Sequence, residues 1–539
     1  MRQWLNKIDS LFVFLLLSLV ALVSFVNESH YFFQTSEIVG FKNYVDYQYV
    51  FEYPKQGLVS ENDKIINYNS SYTIYYSTNG GDSYKEYQGE RLTDLKSGDI
   101  TKEITSIRTK KPFGSIPSVT SILIKAKHKD KNIFTEPKQI TYFENTDSNL
   151  PIVNLVVKES DLFGDDTGIM NLGENSWVDG GFYKESWYRN ANYNQRGENW
   201  LKEVYFQYFE LKELMYETTS DIQISGHASR SFSQKSMKIK STPEHGKLEY
   251  SFFGDGGLKK YSSVVLRNSG NDNSKTLFAD LLMHNLIQKE NVLSQKGKAV
   301  NVFINGNYWG IYNLRERQNS YYIAKEEKVQ TDEITVLEKG DGRLKSGDIL
   351  LQQQYIQFID KLLTLNPEQT STYDYAKEII SIKSFIDYIL IETYYGNADW
   401  LFNNTLWYKA KDKDWKWLIV DLDNALCYKG KENINVNYFT VLTKSNSITS
   451  KLFKVLINNK KFKNELKNRA DELMSNTFSD TNIISEYSAL KNNIDPNLNM
   501  HLNRWRGILN RDKWAENCDN NLNFLLKRKA IFLKQVYEL

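Results

Sequence analysis

The chain has 539 residues, enough for about two to four domains, and a hydrophobic fraction of 41%, which is that of a globular protein. Its 68 basic and 66 acidic side chains nearly balance, so nothing in the charge points to a nucleic-acid partner. Two cysteines cannot build a disulfide framework or a zinc site, and no histidines form an H-x-x-x-H pair, which argues against zinc hydrolases.

The N-terminus carries an apolar run from Leu11 to Val26 that follows Arg2 and Lys7 and contains no charge. The run is shorter than the about 20 residues of a full membrane span. We predict an uncleaved signal anchor over residues 1–26, with a cleaved signal peptide as the first alternative and a buried helix as the second. Basic residues before the run keep the N-terminus in the cytoplasm. The chain would then be a single-pass protein of the cell membrane with its bulk outside the cytoplasm, or secreted or periplasmic after cleavage.

An irregular lead-in over residues 27–65 precedes a segment of short strands over residues 66–147. Turn residues at Asn79-Gly80-Gly81 and the alternation of apolar and polar residues over 121–127 favour antiparallel pairing. This segment is predicted to be a small β-sandwich. Its predicted strands are YTIYYSTNG, ITSIRTKK, TSILIKAKHKD and EPKQITYF.

A β-rich lobe is predicted over residues 148–335, beginning at the linker Asn149-Leu150-Pro151 and a strand from Ile152 to Val157. One predicted helix, KTLFADLLMHNLIQKE, interrupts the strands of this lobe. It is predicted to be a helix because its leucines recur on one side. The further predicted strands are WLKEVYFQYF, SDIQISG, KSMKIKS, SSVVLRNSG, AVNVFING and YWGIYNLRER.

The remaining chain, residues 336–539, is predicted to be mainly helical. Helices are expected at 346–365, over SIKSFIDYILIETYYGN, and from about 445 to the end. Two strands, TLWYKAK and WKWLIVDLD, flank a turn from Lys411 to Asp414. A β-rich lobe followed by a helical lobe is the layout of a kinase. The fold class is therefore α+β: a two-lobed, atypical protein-kinase-like domain after a small β-sandwich and a membrane anchor.

The first candidate site is the loop from Asn397 to Asn404, between a predicted helix and a predicted strand. Asp399 is followed five residues later by Asn404, which is the spacing of the catalytic loop of protein kinases. There the Asp accepts or orients the substrate hydroxyl, and the Asn oxygen binds magnesium. Asp399 is the predicted catalytic residue and Asn404 a predicted metal ligand.

The second candidate site is the end of the apolar strand WKWLIVDLD. Asp421 lies where a kinase strand ends in its metal-binding Asp, with Asp423 in support. Magnesium prefers hard oxygen ligands and keeps some of its waters, so Asn404, Asp421 and Asp423 suffice to hold it. Either element alone would more often be structural, because Asp and Asn commonly cap helices and form turns; the two in order indicate a magnesium site for phosphoryl transfer.

Three further elements are candidates for nucleotide contact. In the segment ISGHASRSFSQKSMKIK, small residues precede a basic strand, so Arg230 and Lys235 would face phosphate, with Lys238 as the fallback lysine. A surface hairpin with alternating lysines is the competing interpretation. Asn305-Gly306 predicts a hairpin whose second strand leads to Glu316, a candidate for nucleotide contact. In the predicted helix, Asp280 is the acid that would pair with the phosphate lysine.

Together these elements resemble the spore-coat CotH kinase family over about residues 150–475. The resemblance rests on LPIVNLVVKESDLFGDDTGIM, S-R-x-F-x-x-K-S, L-R-N-x-x-x-D at Leu266 to Asp272, N-G-x-Y-W-G-x-Y-N-L-x-E, N-x-D-W-x-x-N-N and D-L-D. It implies a kinase-like fold, ATP with Mg²⁺, phosphorylation of Ser or Thr on a protein substrate, Asp399 as the catalytic residue and Asp421 as a metal ligand. The chain departs from it at Gln234-Lys235, where two basic residues are expected.

Residues 66–147 resemble the chitobiase/hexosaminidase C-terminal type of β-sandwich through Y-Y-S-T-x-G and I-K-A. Two other functions stay open on the sequence. One is a surface-anchored assembly or binding protein with an inactive kinase-like domain. The other is a glycan-acting enzyme, suggested by this module and by paired carboxylates.

Overall fold

The computed structural model describes residues 44–100, 112–144, 149–178, 181–182, 190–254 and 256–539. The predicted anchor over residues 1–26, much of the lead-in and the predicted strand ITSIRTKK lie outside the described residues. Within the described ranges, no helix combines the length and the apolar character that a membrane crossing requires.

Residues 44–144 form an N-terminal β unit built around one long strand, β7. β5 pairs antiparallel along one side of β7, while β9 and then β8 share its other side. Apolar side chains of β5, β7 and β9 form a core of their own. Three of the four predicted strands are confirmed, as β5, β7 and β9. The strands are β1 (Tyr44–Val45), β2 (Phe51–Glu52), β3 (Gly57–Leu58), β4 (Ile66–Asn67), β5 (Tyr72–Ser77), β6 (Lys85–Glu86), β7 (Thr120–His128), β8 (Phe134–Thr135) and β9 (Lys138–Phe143).

A closed seven-stranded barrel follows, in the order β10-β13-β14-β15-β16-β18-β17. Neighbouring strands are antiparallel except β17 and β10, whose parallel pairing closes the barrel. Asn305 and Gly306 take positive φ angles of 45° and 76° at the predicted β17–β18 turn. The barrel strands are β10 (Ile152–Val156), β13 (Lys202–Glu210), β14 (Glu213–Ile224), β15 (Met237–Lys240), β16 (Ser263–Arg267), β17 (Gly297–Ile304) and β18 (Asn307–Glu316). A separate two-stranded sheet is formed by β11 (Trp177–Val178) and β12 (Gly181–Phe182).

The strands of the barrel alternate between its apolar core and one polar face. Met237, Ile239, Val264 and Leu266 are buried in that core. Because successive side chains of a strand point to opposite faces, the residues between them lie on the other face. The pairing registers place Gln223, Lys238, Val265 and Arg315 in one row of that face, and Arg267 beside Asn313 in the next. We call this surface the polar face of the barrel.

The helical lobe packs a large apolar core around α6 and also contains a four-stranded sheet in the order β20-β19-β21-β22. Its strands are β19 (Ile334–Glu338), β20 (Arg343–Ser346), β21 (Leu406–Ala410) and β22 (Lys416–Leu418). The α-helices of the described chain are α1 (Glu159–Phe163), α2 (Ala279–Leu286), α3 (Ser320–Glu327), α4 (Ile349–Leu362), α5 (Thr370–Lys377), α6 (Ile382–Tyr395), α7 (Tyr438–Lys444), α8 (Ile448–Leu456), α9 (Lys460–Ser475), α10 (Asp480–Ile494), α11 (Leu498–Arg504) and α12 (Arg511–Tyr537). The mixed α+β class is confirmed.

The N-terminal β unit is docked on the barrel through buried polar and aromatic contacts. The Asn154 side chain on β10 donates to the hydroxyls of Ser121 at 2.7 Å and Thr141 at 2.9 Å. The Phe143 ring lies edge-on to Phe209 and Phe303, with centroids 4.9 and 6.3 Å away. Since burying these groups requires both partners, the unit and the barrel share one folded structure.

The last helices return to the barrel. The Trp505 indole N–H donates to the Trp309 carbonyl at 2.7 Å, and Trp505 belongs to the apolar cluster of the barrel. Gly310, with φ of 115°, makes room for this indole, because a side chain there would meet it at 2.8 Å. The main-chain N–H of Ile311 donates to Nδ1 of His501 at 3.1 Å. The C-terminal region therefore covers the barrel wall at β18.

Candidate functional site

The predicted catalytic loop begins where α6 ends. Gly396 closes that helix in the left-handed conformation, with φ of 63°. The buried Asn397 side chain then donates to the Glu392 carboxylate at 2.9 Å and accepts from the main-chain N–H of Asp399 at 3.1 Å. The loop backbone is therefore fixed from inside the helical lobe before it reaches Asp399.

The carboxylate of Asp399 is held by the amides of the same loop. Asn403 donates to Oδ1 at 3.0 Å and Asn404 donates to Oδ2 at 3.3 Å. Because the amide nitrogen of Asn404 points at Asp399, its carbonyl oxygen is directed elsewhere and can bind a cation. The structure thus brings together the predicted pair, Asp399 and Asn404, in one hydrogen-bonded loop.

Asp421 and Asp423 lie just beyond β22 and share one cation, Arg267 at the end of β16. The Arg267 guanidinium donates to Asp421 at 2.5 Å and to Asp423 at 2.7 Å. Asp421 has a positive φ of 47°, which is uncommon for a residue other than glycine and occurs at functional sites. This carboxylate pair joins the two lobes, since Arg267 comes from the polar face of the barrel.

Asp421 and Asp423 differ in the number of hydrogen bonds that their carboxylate oxygens accept. Both oxygens of Asp423 accept hydrogen bonds, from Arg267, Asn271 and Asn424, and its side chain is buried. Burial and the neighbouring Asp421 charge raise the pKa of Asp423 to about 8. Within the described chain only Oδ1 of Asp421 carries a hydrogen bond, and its side chain is 37% exposed. Asp421 is thus the better placed ligand, with Asp423 behind it.

The catalytic loop and the strand end are adjacent. The main-chain N–H of Ala398 donates to the carbonyl of Asn424 at 3.3 Å. Burial raises the pKa of Glu392 to about 8, the Asn397 hydrogen bond opposes this, and the nearby Asp421 charge adds to it. The loop of Asp399 and Asn404 therefore lies against the chain segment that follows Asp421.

Asp280 on α2 pairs with arginines, which corrects its expected lysine partner. Its carboxylate accepts from Arg315 at 2.6 Å and lies 3.7 Å from Nε of Arg267. It also accepts from the main-chain N–H of Leu422 at 2.8 Å, between the two site aspartates. Burial alone would raise the pKa of Asp280, but Arg315 and Arg267 hold it well below its usual range. Asp280 thus positions both the arginines and the strand end.

Arg230 and Lys235 stabilise their own loop. Arg230 is buried and donates to four main-chain carbonyls, those of Tyr193, Gln195, Ile224 and Gly226. Lys235 is also buried; it donates to the carbonyls of Arg230 and Phe232 and lies 3.9 Å from the Tyr193 ring centre. These donors are directed at the backbone, so the geometry does not favour either side chain as a phosphate ligand.

Lys238 is better placed for an anion. It lies on the polar face in the row of Arg315, and its ammonium donates to Gln223 at 3.0 Å. Burial, together with Arg317 and other nearby cations, lowers the pKa of Lys238 to about 8. A cluster of like charges is relieved by a bound anion, so the predicted fallback lysine is the one that the geometry supports.

Glu316 follows Arg315 on β18 and therefore points to the opposite side of the strand. It is buried, and its carboxylate accepts from the main-chain N–H of Lys296 at 3.0 Å. Burial raises its pKa. This geometry supports a role in joining β18 to the start of β17 rather than direct contact with a nucleotide.

Four site residues were not predicted from the sequence: Arg267, Asn271, Arg315 and Glu392. Arg267 and Asn271 lie in the L-R-N-x-x-x-D segment, one of the motifs that carry the family resemblance. That segment is the signal that could have identified them. Arg315 lies inside a strand and Glu392 inside a helix, and no motif in the surrounding sequence identifies them as site residues.

The donor set fits a magnesium ion. Asp421 and Asn404 offer carboxylate and amide oxygens, which are hard ligands, and magnesium needs few protein ligands because it keeps waters. Asp421 and Asp423 already hold one positive charge, that of Arg267. Among the described residues, no three His, Cys, Asp or Glu side chains cluster as a ready-made metal site.

Comparison with known proteins identifies the family of the chain. No curated protein matches the chain. A family model described as CotH kinase protein matches residues 222–532, which contain Lys238, Arg267, Asp399 and the two aspartates after β22. The match covers more than half of the sequence, and the chain belongs to the CotH kinase family.

Proposed function

We propose that this protein is a CotH-type phosphotransferase that uses ATP and Mg²⁺ to phosphorylate Ser or Thr on a surface or secreted protein. The observation that carries the proposal is the hydrogen bond from Ala398 to Asn424, which brings the loop of Asp399 and Asn404 against the strand end at Asp421. Phosphoryl transfer depends mainly on positioning and charge neutralisation, and these residues supply both.

Each residue has a role in this proposal. The oxygens of Asn404 and Asp421 would hold Mg²⁺, which when bound neutralises charge on the transferred phosphate. Asp423 and Asp280 position the strand end, and Lys238 binds phosphate oxygens from the polar face. Asp399, oriented by Asn403 and Asn404, receives the proton of the acceptor hydroxyl.

The proposed location is the outer side of the cytoplasmic membrane, with the predicted anchor over residues 1–26 as the attachment. An enzyme there needs ATP that is delivered to it.

Calorimetry of the full chain with ATP, with and without Mg²⁺, tests the proposal. We expect Mg²⁺-dependent binding that Asp421→Asn abolishes. Asp399→Asn should keep that binding but lower release or transfer of the γ-phosphate by about 100-fold or more. Asp412→Asn is the matched control, because Asp412 is exposed on the β21–β22 turn.

Absence of nucleotide binding under either condition would overturn the proposal and favour an assembly protein with an inactive kinase-like domain. Full turnover in Asp399→Asn would remove Asp399 from the chemistry while leaving the cation site in place.

A further inference from the structure

The positive charge of Arg267 acts on Asp421, the carboxylate that the proposed cation would also bind. Its terminal nitrogen bridges Asp421 at 2.5 Å and Asp423 at 2.7 Å. These two carboxylates follow each other closely after β22, and only Asp421 is well exposed, at 37% of its side chain against 5% for Asp423. Two adjacent carboxylates repel each other, so a cation between them stabilises the proximity of Asp421 and Asp423.

Arg267 also has a second position within reach. Its Nε is buried and has no hydrogen-bond partner among the described residues. The nearest carboxylate oxygen of Asp280 lies 3.7 Å from that Nε, which is too far for a hydrogen bond. A shift of about 1 Å toward α2 would make this bond. A buried, unpaired donor beside an acceptor favours such a shift, because leaving the donor unpaired costs free energy.

The backbone next to Arg267 allows the close approach. Gly270 has φ of 56°, and a side chain there would lie 1.8 Å from Oδ2 of Asp423 and 2.7 Å from the Arg267 guanidinium. The main chain at Asn271 donates to Asp423 at 3.0 Å. Asp423 is thus held by the main chain independently of Arg267, and it remains in place when the guanidinium moves.

We propose that Arg267 is a built-in counter-cation of Asp421, which a divalent cation displaces toward Asp280 when it binds. This inference rests on the proposed cation site. Without the ion, Arg267 neutralises the pair and joins the lobes. With the ion, Asp421 turns to the metal, while Arg267 keeps Asp423 and gains Asp280. Occupancy of the site is thereby coupled to a movement at the end of β16 on the polar face.

The proposal predicts that substitution of Arg267 raises the affinity for Mg²⁺. Removing a residue that merely supports a metal site weakens metal binding, whereas removing a competitor tightens it. While Arg267 competes, Asp421 is free to bind the ion in only part of the molecules. Arg267→Gln removes this competition and should tighten Mg²⁺ binding by about fivefold. Arg343→Gln is the matched control: it removes a bond of 2.7 Å to Glu338 elsewhere in the helical lobe, and it should leave the affinity unchanged.

The experiment is calorimetric titration of the full chain with MgCl₂ in the absence of nucleotide, with folding checked by near-ultraviolet circular dichroism. Tighter binding in Arg267→Gln supports the proposal; equal or weaker binding in a folded variant overturns it and leaves the proposed function intact. Absence of Mg²⁺ binding in the wild type and in Arg267→Gln overturns this proposal, whereas the proposed function is decided by Mg²⁺-dependent binding of ATP. If Arg267→Gln does not fold, a crystal structure of the wild type with Mn²⁺ decides: the proposal fails if Arg267 still bonds Asp421 with the ion bound.

Discussion

Lys235 and Lys238 lie three residues apart, yet their ammonium groups meet different surroundings. Lys235 is directed into its own loop, where two carbonyls and the Tyr193 ring receive it. Lys238 faces other cations across the polar face, and among the described residues its ammonium donates to one amide, that of Gln223. The same side chain therefore serves stability at one position and is suited to binding at the other.

The substitution of each lysine by methionine should separate these roles. Lys235→Met leaves two carbonyls without a donor, so we expect the free energy of unfolding to fall by about 2–4 kcal/mol. Lys238→Met removes a charge from a crowded cationic surface and should leave stability within about 0.5 kcal/mol, while ATP affinity falls by about 10-fold or more. Denaturant titration and ATP calorimetry on both variants check this, and the reverse pattern would contradict it.

His501 makes stability depend on pH. Burial, with a smaller effect of Arg504, lowers its pKa to about 3, and its Nδ1 accepts from the N–H of Ile311. The neutral ring is therefore required in the fold, whereas the unfolded chain takes up a proton below about pH 6.5. The stabilisation is present above pH 6.5 and is lost as the pH falls, by about 1 kcal/mol between pH 7 and 5.5.

We expect His501→Asn, which retains an acceptor for Ile311, to reduce the slope of this part of the pH profile of unfolding, while the likewise buried His284, whose pKa is also lowered to about 3 by burial, maintains the rest. His245→Asn is the control, because His245 is exposed. Unfolding free energies at pH 7 and 5.5 provide the test; an unchanged slope in His501→Asn would show that other groups govern the acid sensitivity.

At the scale of elements, the turn Gly270–Ser274 connects β16 to α2 and carries the contact with Asp423. We expect Gly270→Ala to lower the free energy of unfolding by about 2 kcal/mol or more and to weaken Mg²⁺ binding, because its side chain would displace Asp423. Gly246 has a similar φ of 71° but open space around it, so Gly246→Ala should cost only about 1 kcal/mol.

Thermal unfolding and MgCl₂ titration of the two alanine variants make the comparison. If Gly270→Ala and Gly246→Ala lose the same stability and neither changes Mg²⁺ binding, Asp423 tolerates displacement.

Elements with a strong local pattern could be predicted from the sequence. The Asn305-Gly306 hairpin, α4 and α6 are confirmed, since turn residues and apolar periodicity mark them. The predicted helix at 275–290 is shorter, Ala279–Leu286, because Leu277 takes a φ of 73° after the turn. The predicted strand WKWLIVDLD is only Lys416–Leu418, because the chain leaves the sheet before Asp421.

The candidate site was predictable only in part. Asp399, Asn404 and Asp421 follow a spacing that the chain itself displays, and their catalytic roles stay predictions. Arg267 could not be found in this way, because its partners Asp421 and Asp423 lie 154 and 156 residues further along. Both cysteines are free, with Cys518 buried and Cys427 half-buried.

At the scale of the whole molecule, the N-terminal β unit and the barrel stabilise each other. Phe143 of the unit packs with Phe209 and Phe303 of the barrel. We expect Phe143→Ala to cost about 3–4 kcal/mol and to reduce hydrogen-exchange protection in β17, although the substitution lies outside the barrel. Leu58→Ala, at an exposed position of the same unit, is the control. Unchanged protection of β17 in Phe143→Ala would mean that the two parts fold independently.

The return of Trp505 to the barrel has a consequence for the order of biosynthesis. Trp505 and its partner Trp309 lie 196 residues apart in the chain. A ribosome that has just released the barrel strands has not yet made the residues that cover β18, so this wall stays apolar and uncovered while the helical lobe is translated. Truncated nascent chains that end before α11 should therefore bind chaperones and be cleaved by proteases, and completion of the last helices is the step that releases them.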